Sequence, residues 1–300
     1  MSYALIVPNE PLIKLISGSS ERILIHLPEI EGRVSLAVTS PPYHNAISYG
    51  SHIADPLANY RERENLNYAS EYLPLLDRVW KQVFCTLKPG GYFAINVGTV
   101  LDKGYQYPLP QDIISRLTNT DEPWEYVRTI FWNKVTAGVK RAGSVIKHQL
   151  PGYWYPNIMT EHIIVVRKPG PVRPVNSEVP TEWLENIWDL APTPPRTIEH
   201  PAPFPEDLPH RLIRMFTTIG ELVLDPFNGS GTTTKAAFQL GRESIGFDLS
   251  PEYTDYASER LREMSRVRDQ QLLVVPIHSR NFKPGRSRGS TRHGSGGKNK

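Results

Sequence analysis

Residues 222–233 read Leu222-Val223-Leu224-Asp225-Pro226-Phe227-Asn228-Gly229-Ser230-Gly231-Thr232-Thr233. Three apolar residues, then Asp-Pro and two glycines, predict a buried strand of a parallel sheet, a tight turn and a helix over 232–240. Gly229 and Gly231 lack a Cβ, so this backbone can bend sharply and let a bulky ligand approach. The stretch therefore predicts the floor of a ligand site, although an ordinary strand-to-helix turn of an α/β protein would show the same pattern.

A second carboxylate narrows the class of ligand. The run Ser244-Ile245-Gly246-Phe247-Asp248 places Asp248 at the end of the next strand, where a carboxylate can accept hydrogen bonds from ribose hydroxyls. A phosphate-binding P-loop is excluded because Thr232, not lysine, follows Gly231. A dinucleotide fingerprint is excluded because Thr234 stands at its third glycine position. The two strands together indicate an adenosine-bearing ligand.

Length and composition limit the size of the core, the cellular location and the kinds of metal site that are possible. With 300 residues, 39% of them hydrophobic, the chain can bury one large core, alone or with a small accessory domain. No apolar run approaches the roughly 20 residues of a membrane span, and the N-terminus lacks a signal-peptide pattern. We therefore expect a cytoplasmic protein that does not associate with membranes. Cys85 is the single cysteine, which excludes an intrachain disulfide and a cysteine-cluster metal site, and we interpret it as structural.

The last twenty residues differ from the rest of the chain. Residues 281–300 carry six Lys and Arg side chains and no acidic one, and they contain few apolar residues. This composition predicts a disordered basic tail. Such a tail could be attracted loosely to nucleic-acid phosphates, or it could be a solvated terminus without a specific role.

A second motif ends an earlier predicted strand. Residues 34–38 form an apolar run that leads into Thr39-Ser40-Pro41-Pro42-Tyr43. Two consecutive prolines cannot donate ladder hydrogen bonds, so the strand must stop there, and their fixed φ angles stiffen the turn. A rigid turn at the carboxyl end of a strand is where α/β proteins place their ligands.

The two motifs together resemble those of a known family. Ser40-Pro41-Pro42-Tyr43 resembles the catalytic motif of the amino-methyltransferases, and the Asp225–Gly231 stretch resembles their cofactor motif. Their order, with the catalytic motif first, is similar to that of the circularly permuted β class of DNA amino-methyltransferases. Glutamine and ribosomal amino-methyltransferases usually have the reverse order. The resemblance implies S-adenosyl-L-methionine as cofactor and double-stranded DNA as substrate, with no metal ion required.

The resemblance also implies the fold and the domain organisation. It implies a Rossmann-like α/β fold with a mostly parallel sheet, helices on both faces and an antiparallel hairpin at the end. The catalytic domain would span 1–280, with a catalytic half over 1–134 and a cofactor half over 198–265. Residues 135–160 and 171–197 are candidate target-recognition insertions.

Local patterns agree with this organisation. Apolar periodicity and turn residues predict strands over 12–16, 34–38, 92–97, 126–132, 161–167, 222–224 and 244–248. Helices are predicted over 21–27, 76–87, 111–117, 208–217, 232–240 and 251–264. We expect 44–70 to be a loop over the mouth of the site and 169–205 to cross the surface outside the core. Residues 272–277 could be an added strand or a docked segment.

Site residues follow from the resemblance, position by position. The catalytic group is Ser40, Pro41, Pro42 and Tyr43: the Ser40 hydroxyl and the Pro41 carbonyl would accept the amino hydrogens while Tyr43 stacks on the base. The segment beginning at His200 is similar to the family's tenth motif, which helps to wall the methionine end of the cofactor. The implied cofactor-binding residues are Asp225, Pro226, Phe227, Gly229, Gly231, Thr232, Asp248, His200, Phe204 and Pro205.

Basic and aromatic residues alternate between the strands at 126–132 and 161–167. Basic side chains can hold phosphates while aromatic side chains and amides meet bases, and loops of this length are usually functional. A long hairpin with incidental lysines is the alternative. The candidate DNA-binding residues are Lys134, Lys140, Arg141, Lys147, His148, Tyr153 and Trp154.

The residue at position 40 bears on the choice of base. In the family that the chain resembles, Ser-Pro-Pro-Tyr is commoner in cytosine-N4 enzymes and Asp-Pro-Pro-Tyr in adenine-N6 enzymes. Gly18-Ser19 also stands where many relatives have Gly-Asp. We therefore predict methylation of cytosine N4, with adenine N6 as the alternative. An RNA or protein amino-methyltransferase, or a non-catalytic binding module on the same fold, is a further alternative.

Partners follow from the resemblance as well. Duplex DNA would have its target base flipped into the pocket. A cognate restriction endonuclease on a separate chain is one partner that the family implies, and a solitary methyltransferase is equally consistent with the sequence. A monomer and a homodimer both remain open.

Overall fold

The computed structural model describes most of the chain. The described residues are 2–6, 11–44, 66–102, 105–121, 124–136, 139–140, 158–172, 178–193, 204–267 and 273–277. Residues 45–65 of the predicted loop and the predicted basic tail at 281–300 lie outside them. Among the described residues, no helix combines the length and the apolar character that crossing a membrane requires.

Fourteen strands are described, and ten of them form one sheet. In chain order the strands are β1 (Ser2–Ile6), β2 (Ile13–Ser17), β3 (Val34–Thr39), β4 (Leu87–Val97), β5 (Val100–Asp102), β6 (Tyr105–Tyr107), β7 (Glu125–Asn133), β8 (Val135–Thr136), β9 (Val139–Lys140), β10 (Thr160–Arg167), β11 (Ile187–Asp189), β12 (Leu222–Asp225), β13 (Glu243–Asp248) and β14 (Leu273–Ile277).

Six α-helices lie between these strands in the described part of the chain. They are α1 (Ile23–His26), α2 (Leu73–Thr86), α3 (Leu109–Thr118), α4 (Asp207–Phe216), α5 (Thr232–Gln239) and α6 (Pro251–Val267). A 3₁₀ turn over Ser20–Arg22 precedes α1, and a π-helical turn over Tyr68–Tyr72 precedes α2.

The large sheet has a parallel centre. Its order is β11-β7-β10-β4-β3-β12-β13-β2-β1-β14. The five strands from β4 to β2 are parallel to one another, whereas β10 is antiparallel to both β4 and β7. The β7–β10 pair is the predicted antiparallel hairpin, and the predicted α/β fold class is confirmed.

Helices cover both faces of the sheet. Leu76 and Val83 of α2 pack with Ile113 of α3 in one buried cluster. Leu212 of α4 and Ala236 of α5 belong to a second cluster, which also contains Val38 of β3. Every residue of β3 is buried, as expected for a strand covered on both faces. The core is therefore layered around the strands that carry the two motifs.

One strand begins earlier than the sequence predicts. Pro89-Gly90-Gly91 has the composition of a turn, but β4 already begins at Leu87. The Gly90 amide donates to the Lys168 carbonyl at 3.0 Å, and the Lys168 amide donates to the Gly91 carbonyl at 2.9 Å. A backbone partner from the end of β10 therefore holds this glycine-rich stretch extended.

Further outcomes concern the edges of the sheet. The sequence patterns did not predict β1. Of the two alternatives for 272–277, the added strand is confirmed, since residues 273–277 pair antiparallel to β1. The expectation that 169–205 lies outside the core is wrong for Trp188, which is 1% exposed. Trp188 lies in β11, which pairs parallel to β7. Its indole Nε1 donates to the Trp183 carbonyl at 3.1 Å.

Candidate active site

Two turns meet at the carboxyl edge of the parallel strands. β3 and β12 are neighbours in the sheet, so the turn after Thr39 lies beside the turn after Asp225. The Thr39 hydroxyl donates to Asp225 Oδ1 at 2.6 Å, and both side chains are buried. This hydrogen bond joins the Ser-Pro-Pro-Tyr turn to the glycine turn although 186 residues separate them in the chain.

The glycine turn is held against the neighbouring strand. The Asn228 amide donates to the Phe247 carbonyl at 2.8 Å, and the Gly229 amide donates to Asp248 Oδ2 at 2.9 Å. Gly231 has a φ of +82°, and a Cβ on it would lie 2.7 Å from the Cβ of Ala257. The turn requires glycine at 231 because α6 packs directly against it.

This packing predicts a specific loss of stability. A Gly231→Ala variant should lose about 2–4 kcal/mol of unfolding free energy from the left-handed backbone and the overlap with Ala257. Gly220 is the matched control, because its φ is +79° but nothing lies within 4 Å of an added Cβ. Gly220→Ala should lose about 1–2 kcal/mol from the backbone alone. Urea unfolding measures both, and equal losses would contradict the packing argument.

Asp225 carries an unusual carboxyl group. It is 1% exposed, and burial raises its pKa to about 6. Hydrogen bonds from the Thr39 hydroxyl and from the Phe227 amide, the latter at 3.0 Å, favour the ionised form and limit the shift. The Asp225 carboxyl therefore titrates close to neutrality.

Asp248 is the second carboxylate of the site and is partly exposed. Its Oδ2 accepts from the Gly229 amide, and its Oδ1 accepts from the Ser250 amide at 2.8 Å. Ser250 in turn caps the start of α6, where its Oγ accepts from the Tyr253 amide at 3.3 Å. These bonds hold the Asp248 carboxylate at the end of β13, beside the glycine turn.

The Ser-Pro-Pro-Tyr turn is held from two sides. Ser40 and Tyr43 are partly exposed, whereas Pro41 is buried. The Pro42 carbonyl accepts from the Tyr72 hydroxyl at 2.8 Å, and the Tyr43 hydroxyl donates to Glu161 Oε2 at 2.9 Å. The second half of the Ser-Pro-Pro-Tyr turn therefore has fixed partners.

A cluster of aromatic side chains packs next to this turn. His44 is buried, and its Nε2 lies 2.6 Å from the Leu66 carbonyl. The His44 ring packs against the rings of Tyr68, Tyr72 and Tyr107, with centroids 5.2–5.4 Å away. Sequence reasoning assigned 44–70 to a loop and missed this group, although the four-residue spacing of Tyr68 and Tyr72 is a helical signal.

Sequence reasoning also missed Glu161. This side chain is 8% exposed, and its Oε2 accepts from Asn96 Nδ2 at 2.6 Å as well as from Tyr43. Lys134 Nζ forms an ion pair with its Oε1. An acid two residues before the β-branched run 163–166 was the available signal, because a charge at a buried strand end needs a partner.

The other predicted site residues are distributed as follows. Pro226, Phe227 and Thr232 lie in the glycine turn and at the start of α5. Phe204 and Pro205 precede α4, where the Pro205 carbonyl accepts from the Leu208 amide at 3.0 Å. Lys134 is paired with Glu161, and its contact with DNA stays a prediction. The side chain of Lys140 and the residues His200, Arg141, Lys147, His148, Tyr153 and Trp154 lie outside the described part of the chain.

This arrangement suits a particular ligand chemistry. Asp225 and Asp248 end adjacent strands on either side of the glycine turn, and the turn has no lysine after its last glycine. Carboxylates suit cations and hydroxyls, whereas phosphates need lysine or backbone amide donors. A cationic nucleoside without phosphates fits this set, and the Ser40 hydroxyl with the Pro41 carbonyl suits an amino group next to it.

Residues 34–259 match the model of the N6/N4 methylase family, described as DNA methylase. The type II methyltransferase M.MjaI of Methanocaldococcus jannaschii is 33% identical over 201 residues, which cover 61% of this chain and 65% of that protein. The chain thus spans slightly less than two thirds of that relative.

Solved structures are similar over most of the chain. A structure from Thermus thermophilus, described as a DNA modification methylase complexed with S-adenosyl-L-methionine, has a TM-score of 0.58 at 33% identity, covering 83% of this chain and 94% of that one. The cytosine-N4-specific PvuII DNA methyltransferase has a TM-score of 0.62 at 20% identity, covering 85% of this chain and 90% of that one. The latter similarity concerns the fold alone.

Proposed function

Because this chain belongs to the N6/N4 family of DNA methylases, we propose a methyl-transfer reaction for it. The reaction is site-specific transfer of a methyl group to an exocyclic amino nitrogen of a base in duplex DNA. The cofactor is S-adenosyl-L-methionine. One observation supports the proposal most: the Thr39–Asp225 hydrogen bond joins the Ser-Pro-Pro-Tyr turn to the glycine turn.

The cofactor half of the site fits this molecule. S-adenosylmethionine supplies an electrophilic methyl group on a sulfonium centre. Asp248 accepts hydrogen bonds from the ribose hydroxyls, as its place at the end of β13 allows. The buried Asp225 carboxylate attracts the positively charged end of the cofactor. The turn over Gly229 and Gly231 lets the cofactor approach the backbone closely.

The other half of the site prepares the amine. An exocyclic amino nitrogen is a poor nucleophile because its lone pair is delocalised into the base. The Ser40 hydroxyl and the Pro41 carbonyl accept hydrogen bonds from its two N–H groups, which makes the nitrogen more tetrahedral. After the nitrogen gains the methyl group, it releases one of these two protons. Tyr43 stacks on the base, which offsets part of the few kcal/mol that flipping costs. Positioning and electrostatics supply the catalysis.

Cytosine N4 is the proposed target atom. Ser40 supports it, since the serine form of the motif is the commoner one in cytosine-N4 enzymes. Ser19, which stands where many relatives have an aspartate for the base, caps the 3₁₀ turn instead, and its Oγ accepts from the Glu21 amide at 3.3 Å. Adenine N6 is the alternative target.

Target recognition is assigned to residues 135–160 and to 171–197. Within the second range, β11 belongs to the sheet, so the recognising residues would flank it. A cognate restriction endonuclease on a separate chain is the proposed partner, and a solitary role is the alternative. Methylation of plasmid DNA that blocks cleavage by an endonuclease encoded beside this protein would support the partnership.

Labelled cofactor distinguishes the proposed substrate from its alternatives. The protein is incubated with methyl-labelled S-adenosylmethionine and, in parallel, with methyl-free duplex DNA, total RNA or protein. We expect label in duplex DNA. Label confined to RNA or protein would contradict the proposal, and cofactor binding without any transfer would favour a non-catalytic binding module.

The titration of Asp225 predicts a pH dependence of cofactor affinity. Because burial raises its pKa to about 6, the carboxyl is ionised above pH 6 and increasingly protonated below it. The cationic cofactor prefers the ionised form, so its dissociation constant should rise about tenfold between pH 7 and pH 5. Calorimetry across this range measures the change.

An Asp225→Asn variant is the control for this titration. It should bind the cofactor more weakly than the wild type and with a flatter pH profile, because the amide cannot ionise. A wild-type affinity that stays constant from pH 7 to pH 5 would contradict the assignment of Asp225.

A further inference from the structure

A buried acid lies beside the Ser-Pro-Pro-Tyr turn and takes no part in the chemistry proposed above. The Glu161 carboxylate receives three groups from three different elements. Tyr43 and Asn96 donate to its Oε2 at 2.9 and 2.6 Å, and Lys134 pairs with its Oε1. We refer to these four residues as the Glu161 cluster.

The sheet explains why the Glu161 cluster forms at this edge. β10 is antiparallel to β4 and β7, so its first residues lie opposite the last residues of those strands. His162 pairs with Val97 of β4, and Glu161 pairs with Trp132 of β7. β3 ends at the same edge, since it is parallel to β4. Glu161, the second residue of β10, therefore lies near the point where the Ser-Pro-Pro-Tyr turn leaves β3.

Burying a carboxylate is costly unless it is paired and hydrogen-bonded. Lys134 offsets the charge of Glu161, and its own side chain is 16% exposed. Asn96 is 2% exposed and uses its amide to donate to the same carboxylate. The third group that contacts this carboxylate is the hydroxyl of Tyr43.

Tyr43 is the residue of the cluster that would contact the substrate. Its ring can stack on a base only in one orientation, and a hydrogen bond from its hydroxyl to a charged acceptor is stronger than a neutral one. We infer that Glu161 is a positioning residue that holds the Tyr43 hydroxyl and so fixes the ring plane for the flipped base. This inference rests on the proposed function and assigns a role to a residue outside the Ser-Pro-Pro-Tyr motif.

A double-mutant cycle tests the link. Tyr43→Phe, Glu161→Ala and the double variant are compared in single-turnover methylation of methyl-free DNA of high sequence complexity. Each single variant should slow methylation about tenfold, the loss expected for a hydrogen bond to a charged group. The double variant should be within about threefold of the slower single variant, because the Tyr43–Glu161 hydrogen bond is removed by either change. Cofactor affinity should change less than about twofold.

Two further variants distinguish loss of Tyr43 positioning from a general loss of stability. Glu161→Gln keeps an oxygen that accepts from Tyr43, so it should methylate clearly faster than Glu161→Ala. Glu125→Ala removes the Arg167–Glu125 ion pair at the opposite end of the same two strands and should leave methylation unchanged. If Glu161→Ala does not fold, the cycle is run with Glu161→Leu, which also lacks an acceptor for the Tyr43 hydroxyl and should have little further effect once Tyr43 is phenylalanine.

The outcomes that overturn the inference are distinct from failure of the proposed function. Rate losses that multiply in the double variant, or an undiminished rate in Glu161→Ala, would contradict the role of Glu161. If the wild type does not methylate DNA, the proposed function fails instead. In that case the same double-mutant cycle is measured by urea unfolding, which tests the Tyr43–Glu161 hydrogen bond itself. Coupling of about tenfold in the unfolding constant supports this bond, and coupling below about twofold overturns it.

Discussion

A Tyr43→Ala variant is expected to methylate DNA about 100-fold more slowly than the wild type, while its affinity for S-adenosylmethionine stays within about threefold. Stacking of a base on an aromatic ring contributes about 1–3 kcal/mol, and this variant loses the ring together with the hydroxyl that reaches Glu161. Single-turnover methylation measures the rate, and calorimetry measures the cofactor affinity.

The control for Tyr43 is an exposed tyrosine on another strand. Tyr126 of β7 is 47% exposed, and its hydroxyl lies 2.9 Å from Thr129 Oγ1. Tyr126→Ala should change neither the methylation rate nor the cofactor affinity by more than about twofold, since surface substitutions have small effects. A Tyr43→Ala variant that methylates as fast as Tyr126→Ala would rule out Tyr43 as the stacking residue.

An Asp225→Ala variant, unlike Tyr43→Ala, should weaken cofactor binding, with the affinity for S-adenosylmethionine reduced about 30-fold or more. The substitution removes a buried carboxylate and leaves the Thr39 hydroxyl and the Phe227 amide without their acceptor. Each buried donor without a partner costs about 1–3 kcal/mol, so the glycine turn should lose its fixed geometry. Calorimetric titration with S-adenosylmethionine measures the effect.

Asp189→Ala serves as the control for Asp225. Asp189 is exposed and accepts a hydrogen bond from Asn133 Nδ2 at 2.7 Å. It lies on β11, an edge strand of the sheet. Its loss should leave cofactor affinity unchanged. Unaltered cofactor binding in Asp225→Ala would refute the assignment of Asp225 to the cofactor site, provided that the variant folds by circular dichroism.

The sequence predicted the parts of the fold that have local causes. The apolar runs at 34–38 and 222–224 are buried on both faces, so their composition alone identifies strands. The prolines at 41 and 42 and the glycines at 229 and 231 mark where those strands end. The meeting of the two turns was not predicted, because the resemblance supplied only the order of the motifs along the chain. It depends on β3 lying next to β12 in the sheet.

The parts that sequence reasoning missed depend on contacts between distant residues. Tyr43 and Glu161 are 118 positions apart, and neither local pattern indicates the other. Trp188 lies in a proline-rich segment without periodicity, and it is buried because β7 accepts β11 as a neighbour. The pairing of β1 with β14 joins segments from opposite ends of the chain. No property of either segment alone requires that pairing.

Mass analysis of hydrolysed nucleosides identifies the atom that receives the methyl group. Methyl-free duplex DNA is incubated with the protein and S-adenosylmethionine, digested to nucleosides and compared with DNA treated with the Ser40→Ala variant. We expect N4-methylcytosine in the wild-type sample and a strong reduction in the variant. N6-methyladenine instead would contradict the assignment of the target base, and the absence of any methylated nucleoside would contradict the proposed reaction.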